Sequence, residues 1–296
     1  MPFGMFYYPN VVVLKERVYI GGGTSISGRE DQIVMMYNIS SDQWNTLPPY
    51  QFSWFAMTTL NDQLVLVGGL DKPSNKRTNL VGNLNEAQQE WAHKFPPMHV
   101  ARSGAAVVTH SDRWIVVAGG RGSMEAPVEI LDSTGGQWYR ANAPLPQKLC
   151  KMSSIVIDSV WYLLGGYSGR ESAKMCLSIH LDKLISQAVL QASAANGILD
   201  RDQPIQWQVL PDAPLVGSTA VSHNGLLFAI GGEQAIDKGS TAIYYYQTVS
   251  GQWIKAGSLP SERKECGCTV LPSGELLIAG GFIIPFMEQV DVAKIV

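Results

Sequence analysis

Few side chains in this sequence stand at spacings that do chemistry. The five histidines, His93, His99, His110, His180 and His223, form no HExxH or other metal-ligand spacing. His93 and His99 flank Phe95-Pro96 and read as exposed edge residues. No Ser-His-Asp or Cys-His set is legible, and no carboxylate pair is marked. Neither GxGxxG opening a helix nor GxxxxGK[ST] is present. The nearest approach to a reactive group is Cys266 with Cys268, which flank Gly267 and, on a strand, face the same side. Arg263, Lys264 and Cys150 fall near the same end of the repeat, and positive charge there lowers a thiol pKa. The competing reading is two small side chains filling an inner strand. The expectation is therefore no metal, no cofactor and no enzymatic activity.

Composition removes further classes. The chain has 296 residues, with 22 Lys+Arg against 25 Asp+Glu and a net charge of -3, so no basic footprint for nucleic acid is expected. No window offers about 18 consecutive apolar residues, so no membrane helix is expected. The first basic residue is Lys15, so the start lacks the basic region of a signal peptide. Cys150, Cys176, Cys266 and Cys268 are too few for a disulfide framework, which suggests reduced thiols in the cytoplasm. Asn38-Ile39-Ser40 is a glycosylation sequon that matters only in a secreted chain.

The elements that must position any site show up as a repeat. Of the 29 glycines, twelve form pairs that each end a short apolar run: 22–23, 68–69, 119–120, 165–166, 231–232 and 280–281. The second glycines are 46, 51, 46, 66 and 49 residues apart, a propeller-blade period stretched once. Trp44, Trp91, Trp138 and Trp253 keep phase with them, and Trp207 lies about 20 residues late, so one insertion explains both anomalies. Seven residues before each in-phase Trp stands Tyr37, Leu84, Leu131 or Tyr246. An apolar–Pro step follows, as in Leu47-Pro48 and Phe95-Pro96. In one repeat, residues 105–109, 114–118, 128–132 and 137–140 read as four strands, with 111–113 a hairpin turn and Trp138 packed between sheets. The glycine pairs lead into further strands rather than helices, so their role is structural: strand ends that need positive φ and close approach.

Glycine pair, aromatic and Trp at this period resemble the kelch repeat over essentially the whole chain. The sequence looks like the free-standing or C-terminal kelch propellers of animals. That resemblance implies an all-β, six-bladed β-propeller of kelch repeats with four antiparallel strands per blade, a single domain over residues 1–296. The last blade lacks a Trp strand and is expected to be incomplete, shortened or completed by residues 1–8, with the N-terminal segment near the C-terminus. The insertion at about 182–203 in the fourth blade carries Leu181, Leu184, Ile185, Ala188 and Val189 at helical spacing and reads as a surface loop or a short helix on the face away from the glycine-pair loops.

The resemblance also implies a protein-interaction module acting as a scaffold or substrate-recognition module. Its partner site would lie on the face built from the loops after the glycine pairs and those entering the inner strands. One arc there is apolar and aromatic: Tyr7, Tyr8, Phe52, Trp54, Phe55, Phe282 and Phe286. Another is basic: Arg102, Arg121, Lys148, Lys151 and Arg170, with Arg263 and Lys264 from the last blade. Aromatics and Arg are the residues of interface hot spots, and Arg grips carboxylates bidentately. Arg102-Ser103 matches a step at which some kelch domains grip an acidic or polar peptide. The expected contacts are Tyr8, Arg29, Phe52, Trp54, Arg102, Ser103, Arg121, Lys148, Tyr167, Arg170, Arg263 and Phe282. The expected partner is a protein or peptide, acidic with an apolar anchor, bound by a monomeric domain. The alternative is a small-molecule enzyme of kelch type, such as a sugar mutarotase, in the axial pocket. The copper, Tyr, His and Cys–Tyr set of a kelch-type radical oxidase cannot be assembled here.

Overall fold

The computed structural model describes residues 6–25, 32–85, 89–122, 127–193, 204–235, 238–281 and 290–294. Apolar second strands such as Trp114–Ala118 are buried on both faces, because each sheet packs against a sheet on either side. Blade 3 shows the plan: Ala106–His110, Trp114–Ala118, Val128–Asp132 and Gln137–Ala141 pair antiparallel in that order. Blade 1 begins at Asn10–Leu14, blade 2 at Ala56–Leu60, blade 4 at Ser153–Ile157 and blade 5 at Thr219–His223. The last sheet holds Gly267–Val270, Glu275–Ala279 and Val290–Lys294. The expected six four-stranded blades are thus corrected to five, with a three-stranded sheet closing the ring among the described residues.

The inner strand of that sheet touches the inner strands of blades 5 and 1, so the first and last repeats meet. The N-terminal pair Phe6–Tyr7 does not add a fourth strand to the last sheet. It pairs with Thr24–Ser25, just past the glycine pair of blade 1.

The repeat markers acquire physical causes. Tyr37, Leu84, Leu131 and Tyr246 are the cross-strand partners of Trp44, Trp91, Trp138 and Trp253. Each later Trp indole then donates to a carbonyl at the edge of the preceding blade: Trp91 to Pro48 (2.8 Å), Trp138 to Pro96 (2.7 Å), Trp207 to Ala143 (3.0 Å) and Trp253 to Pro211 (3.1 Å). An indole N–H shielded between sheets favours an acceptor, and these carbonyls are available because the chain has left the sheet at a proline-rich step.

The insertion begins with a helix, Leu181–Ser193, between the third and fourth strands of blade 4. It buries Leu181, Leu184, Ile185 and Ala188 and packs on the outer strand of blade 3. Asp182 in its first turn suits the helix dipole, and Oδ1 lies 2.7 Å from His110 Nε2. Residues 194–203 lie outside the described ones.

Candidate functional site

Two residues before each inner strand, the chain makes the same unusual step six times. Tyr8, Trp54, Gly104, Lys151, Gly217 and Glu265 all take positive φ, between 52° and 67°. Only the glycines do so freely; each of the other four costs about 1–2 kcal/mol. The strain is held by two arcs of backbone hydrogen bonds around the axis, one over Trp54, Gly104 and Lys151 and the other over Gly217, Glu265 and Tyr8. Gly104 N donates to Trp54 O (2.7 Å), Lys151 N to Gly104 O (2.8 Å), Glu265 N to Gly217 O (2.9 Å) and Tyr8 N to Glu265 O (2.8 Å). Four side chains are thereby turned toward one another at the mouth of the axial cavity. Lys151 Nζ lies 4.1 Å from the Trp54 ring and 4.5 Å from the Tyr8 ring, and Tyr8 donates its hydroxyl to Glu265 (2.6 Å). Burial lowers the Lys151 pKa, and burial with the Glu265 charge and hydrogen bond raises that of Tyr8. The cavity below, about 440 Å³, is lined by the inner strands. Its charged side chains, among the described residues, are Lys151 and Glu265 at the mouth.

A second concavity opens between blades 3 and 4. This groove of about 1200 Å³ runs from the glycine-pair loops (Gly119–Gly122, Tyr167–Gly169) outward past Leu145 and Lys148 to Gln191 of the helix. Arg77, Arg121, Arg140 and Lys148 line it, and no carboxylate does among the described residues. The Arg121 guanidinium lies 5.5 Å from the Tyr167 ring. Arg121 and Tyr167 are held by backbone bridges to Ser103 and Cys150.

Three expected contact residues, Arg102, Arg263 and Ser103, are not surface residues. Arg102 is 0% exposed; it pairs with the buried Glu129 and donates to Gly119 O (3.2 Å) and Pro127 O (3.0 Å). Burial pulls its pKa down while Glu129 pushes it back. Arg263, also 0% exposed, repeats the bond three blades further around the ring, donating to Gly280 O (3.2 Å). In each case the arginine holds the first glycine of its own blade's pair, 17 residues on. Ser103 is buried and meets Arg121 through its backbone. Phe52 packs edge-on against Tyr50, and Phe55 is core. Lys264 is buried and pairs with Glu233 (2.8 Å).

The remaining expected residues divide. Tyr8 and Trp54 meet at the axial mouth, and Arg121, Lys148 and Tyr167 share the groove. Arg170 is exposed beside them, in a turn held by Ser168. Arg29, Phe282 and Phe286 lie outside the described residues. Glu265, Arg77 and Arg140 were not among the expected contacts. The one sequence signal for Glu265 was Gly104 and Gly217 at equivalent repeat positions, which marks a positive-φ step that the other four blades fill with large side chains; Arg77 and Arg140 lie on strands away from that step. Among the described residues, no group of three or more His, Cys, Asp or Glu is placed to hold a metal ion. No helix there is long and apolar enough to cross a membrane.

Comparison with known proteins gives the same repeat. The kelch motif family matches residues 214–260. Kelch-like protein terF of Aspergillus terreus is 29% identical over 150 residues, 46% of this chain and 32% of that protein. Kelch repeat and BTB domain-containing protein 1 of cowpox virus is 21% identical over 241 residues, 79% of this chain and 39% of that protein. The chain thus spans about a third of the length of the curated relatives it matches. The solved structure of YjhT superposes with a TM-score of 0.73 at 15% identity, covering 99% of this chain and 94% of that one.

Proposed function

This chain is a kelch-repeat propeller, and we propose that it works as a non-catalytic protein-interaction module whose partner presents an acidic segment with an apolar anchor. The observation that carries this reading is the groove between blades 3 and 4. Four cations line it with no carboxylate among the described residues, and Tyr167, Leu145 and Pro144 supply an apolar wall. Arg121 and Arg140 suit bidentate carboxylate recognition, and the aromatic wall suits a bulky anchor. Relatives named for kelch repeats joined to a BTB domain support a protein partner. The axial cavity supports the enzymatic alternative less well, because below its mouth it is lined by hydroxyl, amide, thiol and apolar groups without an acid–base pair.

An immobilised peptide array tests the proposal. Peptides with two or more Asp or Glu beside Leu or Phe should retain the protein at low salt and release it as salt rises. The triple variant Arg121→Glu, Arg140→Glu, Lys148→Glu should lose at least tenfold in affinity, about 1.4 kcal/mol or more. Equal binding by the triple variant, or a preference for neutral or basic peptides, overturns the assignment.

A further inference from the structure

We propose that Cys266 and Cys268 form an oxidisable dithiol, which a hydroperoxide entering the axial cavity converts to a disulfide at the seam where the last sheet meets the first blade. Their Sγ atoms lie 3.5 Å apart, both residues are buried, and both belong to the wall of the axial cavity. The other cysteines lack this arrangement. The Cys150 thiol donates to the Tyr167 carbonyl at 3.4 Å, and burial pushes the Cys176 thiol up to about 12. The inference stands on this geometry and is independent of the groove.

The contact makes the two sulfurs unequal. Cys266 accepts from the Cys268 thiol and lies near the Thr219 hydroxyl, 3.7 Å from its sulfur, and the Arg263 charge, so its pKa is lowered. Burial, and the neighbouring Cys266 sulfur, raise that of Cys268. One sulfur is therefore the nucleophile and the other the resolving thiol. The Cys266 thiolate attacks a peroxide oxygen; the S–O bond forms, the O–O bond breaks, and hydroxide leaves. Cys268 then gives up its proton and attacks the Cys266 sulfenic acid; the S–S bond forms, the S–O bond breaks, and water leaves. Two thiols are oxidised and one hydrogen peroxide is reduced to two waters.

Covalent geometry places this disulfide at the edge of what a strand allows. Two extended residues span about 6.6 Å between α-carbons, near the top of the range of roughly 4.4–6.8 Å that disulfides accept. The sulfurs must close from 3.5 Å to about 2.05 Å. The backbone that must pucker is Gly267, whose α-carbon faces blade 1: an added Cβ would stand 2.4 Å from Val11 Cγ2 and 2.8 Å from Pro9 O. Oxidation is thus felt directly where the ring closes, and a disulfide near the geometric limit is readily reduced again.

The test uses the full chain, reduced, freed of reductant and exposed to hydrogen peroxide. It is then acid-quenched, unfolded and alkylated. The alkylatable thiols should fall from four to two. The peptide holding both cysteines should be lighter by two hydrogens and recover on treatment with dithiothreitol. The Cys150→Ser, Cys176→Ser variant should lose both of its remaining thiols in the same way. Retention of all four thiols, oxidation of the pair only to sulfinic acid, or a loss confined to Cys150 and Cys176 overturns the proposal.

Discussion

Arg102 provides the sharpest test of the architecture, because its place in the sequence suggests a partner contact and its place in the fold is structural. Glu129 is fully buried and accepts from Arg102, from His99 N (2.7 Å), from His99 Nδ1 (2.8 Å) and from Val100 N (3.3 Å). Glu129→Leu would strand the guanidinium, which keeps only the carbonyls of Gly119, Pro127 and, at 3.5 Å, Val100. Breaking a buried ion pair by removing one partner costs about 3–5 kcal/mol. At roughly 2 °C per kcal/mol for a chain of this size, the melting temperature should fall by about 8 °C. Arg102→Leu should cost less, about 2 kcal/mol, because the carboxylate keeps its three other donors. Leucine also fits the position: Leu149 and Leu215 stand there in blades 4 and 5. The double variant should then be more stable than the sum of the singles by about 2 kcal/mol. Urea denaturation followed by tryptophan fluorescence measures all three. Additivity within about 0.5 kcal/mol would refute the buried pair, as would a Glu129→Leu cost below about 1 kcal/mol.

Two further outcomes are expected. Asp132, held by the Arg113 guanidinium at 2.7 and 3.0 Å and by Thr134, has its pKa lowered well below the usual carboxylate range. Its stabilisation is therefore full above about pH 4 and fades as pH falls further. The urea midpoint advantage of the wild type over Asp132→Asn should be level from pH 7 to about 5 and shrink below about 4; an advantage unchanged to pH 2 would refute it. Gly104 and Gly68 have nearly equal positive φ, +60° and +63°, but an added Cβ meets nothing closer than 3.6 Å at Gly104 and the Arg102 carbonyl at 2.3 Å at Gly68. Gly104→Ala should cost about 1–2 kcal/mol and Gly68→Ala at least twice that, read as thermal shifts. Equal costs would mean that the ring does not press on Gly68.

The periodic features were legible because they arise from local geometry. Tyr37 and Trp44, or Leu131 and Trp138, stand seven residues apart because a tight hairpin makes them cross-strand partners. The spacing of Leu181, Leu184, Ile185 and Ala188 left a short helix open beside a surface loop, and the helix forms with that face buried. Arg102 and Arg263 were misread because a loop position says nothing about burial, and Glu129, which neutralises Arg102, lies 27 residues away on the strand Val128–Asp132. That the last sheet holds three strands among the described residues was legible as an absent Trp, but the pairing of Phe6–Tyr7 with Thr24–Ser25 was not.

Sequence alone determined the blade plan: glycine pairs, cross-strand aromatics and apolar–Pro steps recur because every blade meets the same local steric and hydrogen-bonding demands. Tertiary structure alone decided what faces what. Tyr8, Trp54, Lys151 and Glu265, spread over 257 residues, meet at the axis only because ring closure turns one equivalent position of four repeats inward. The physical reason is that pairing within a blade is a short-range matter of register. Charge neutralisation, cation–π contact and the approach of Gly267 to the first blade depend on distances that no spacing in the chain encodes.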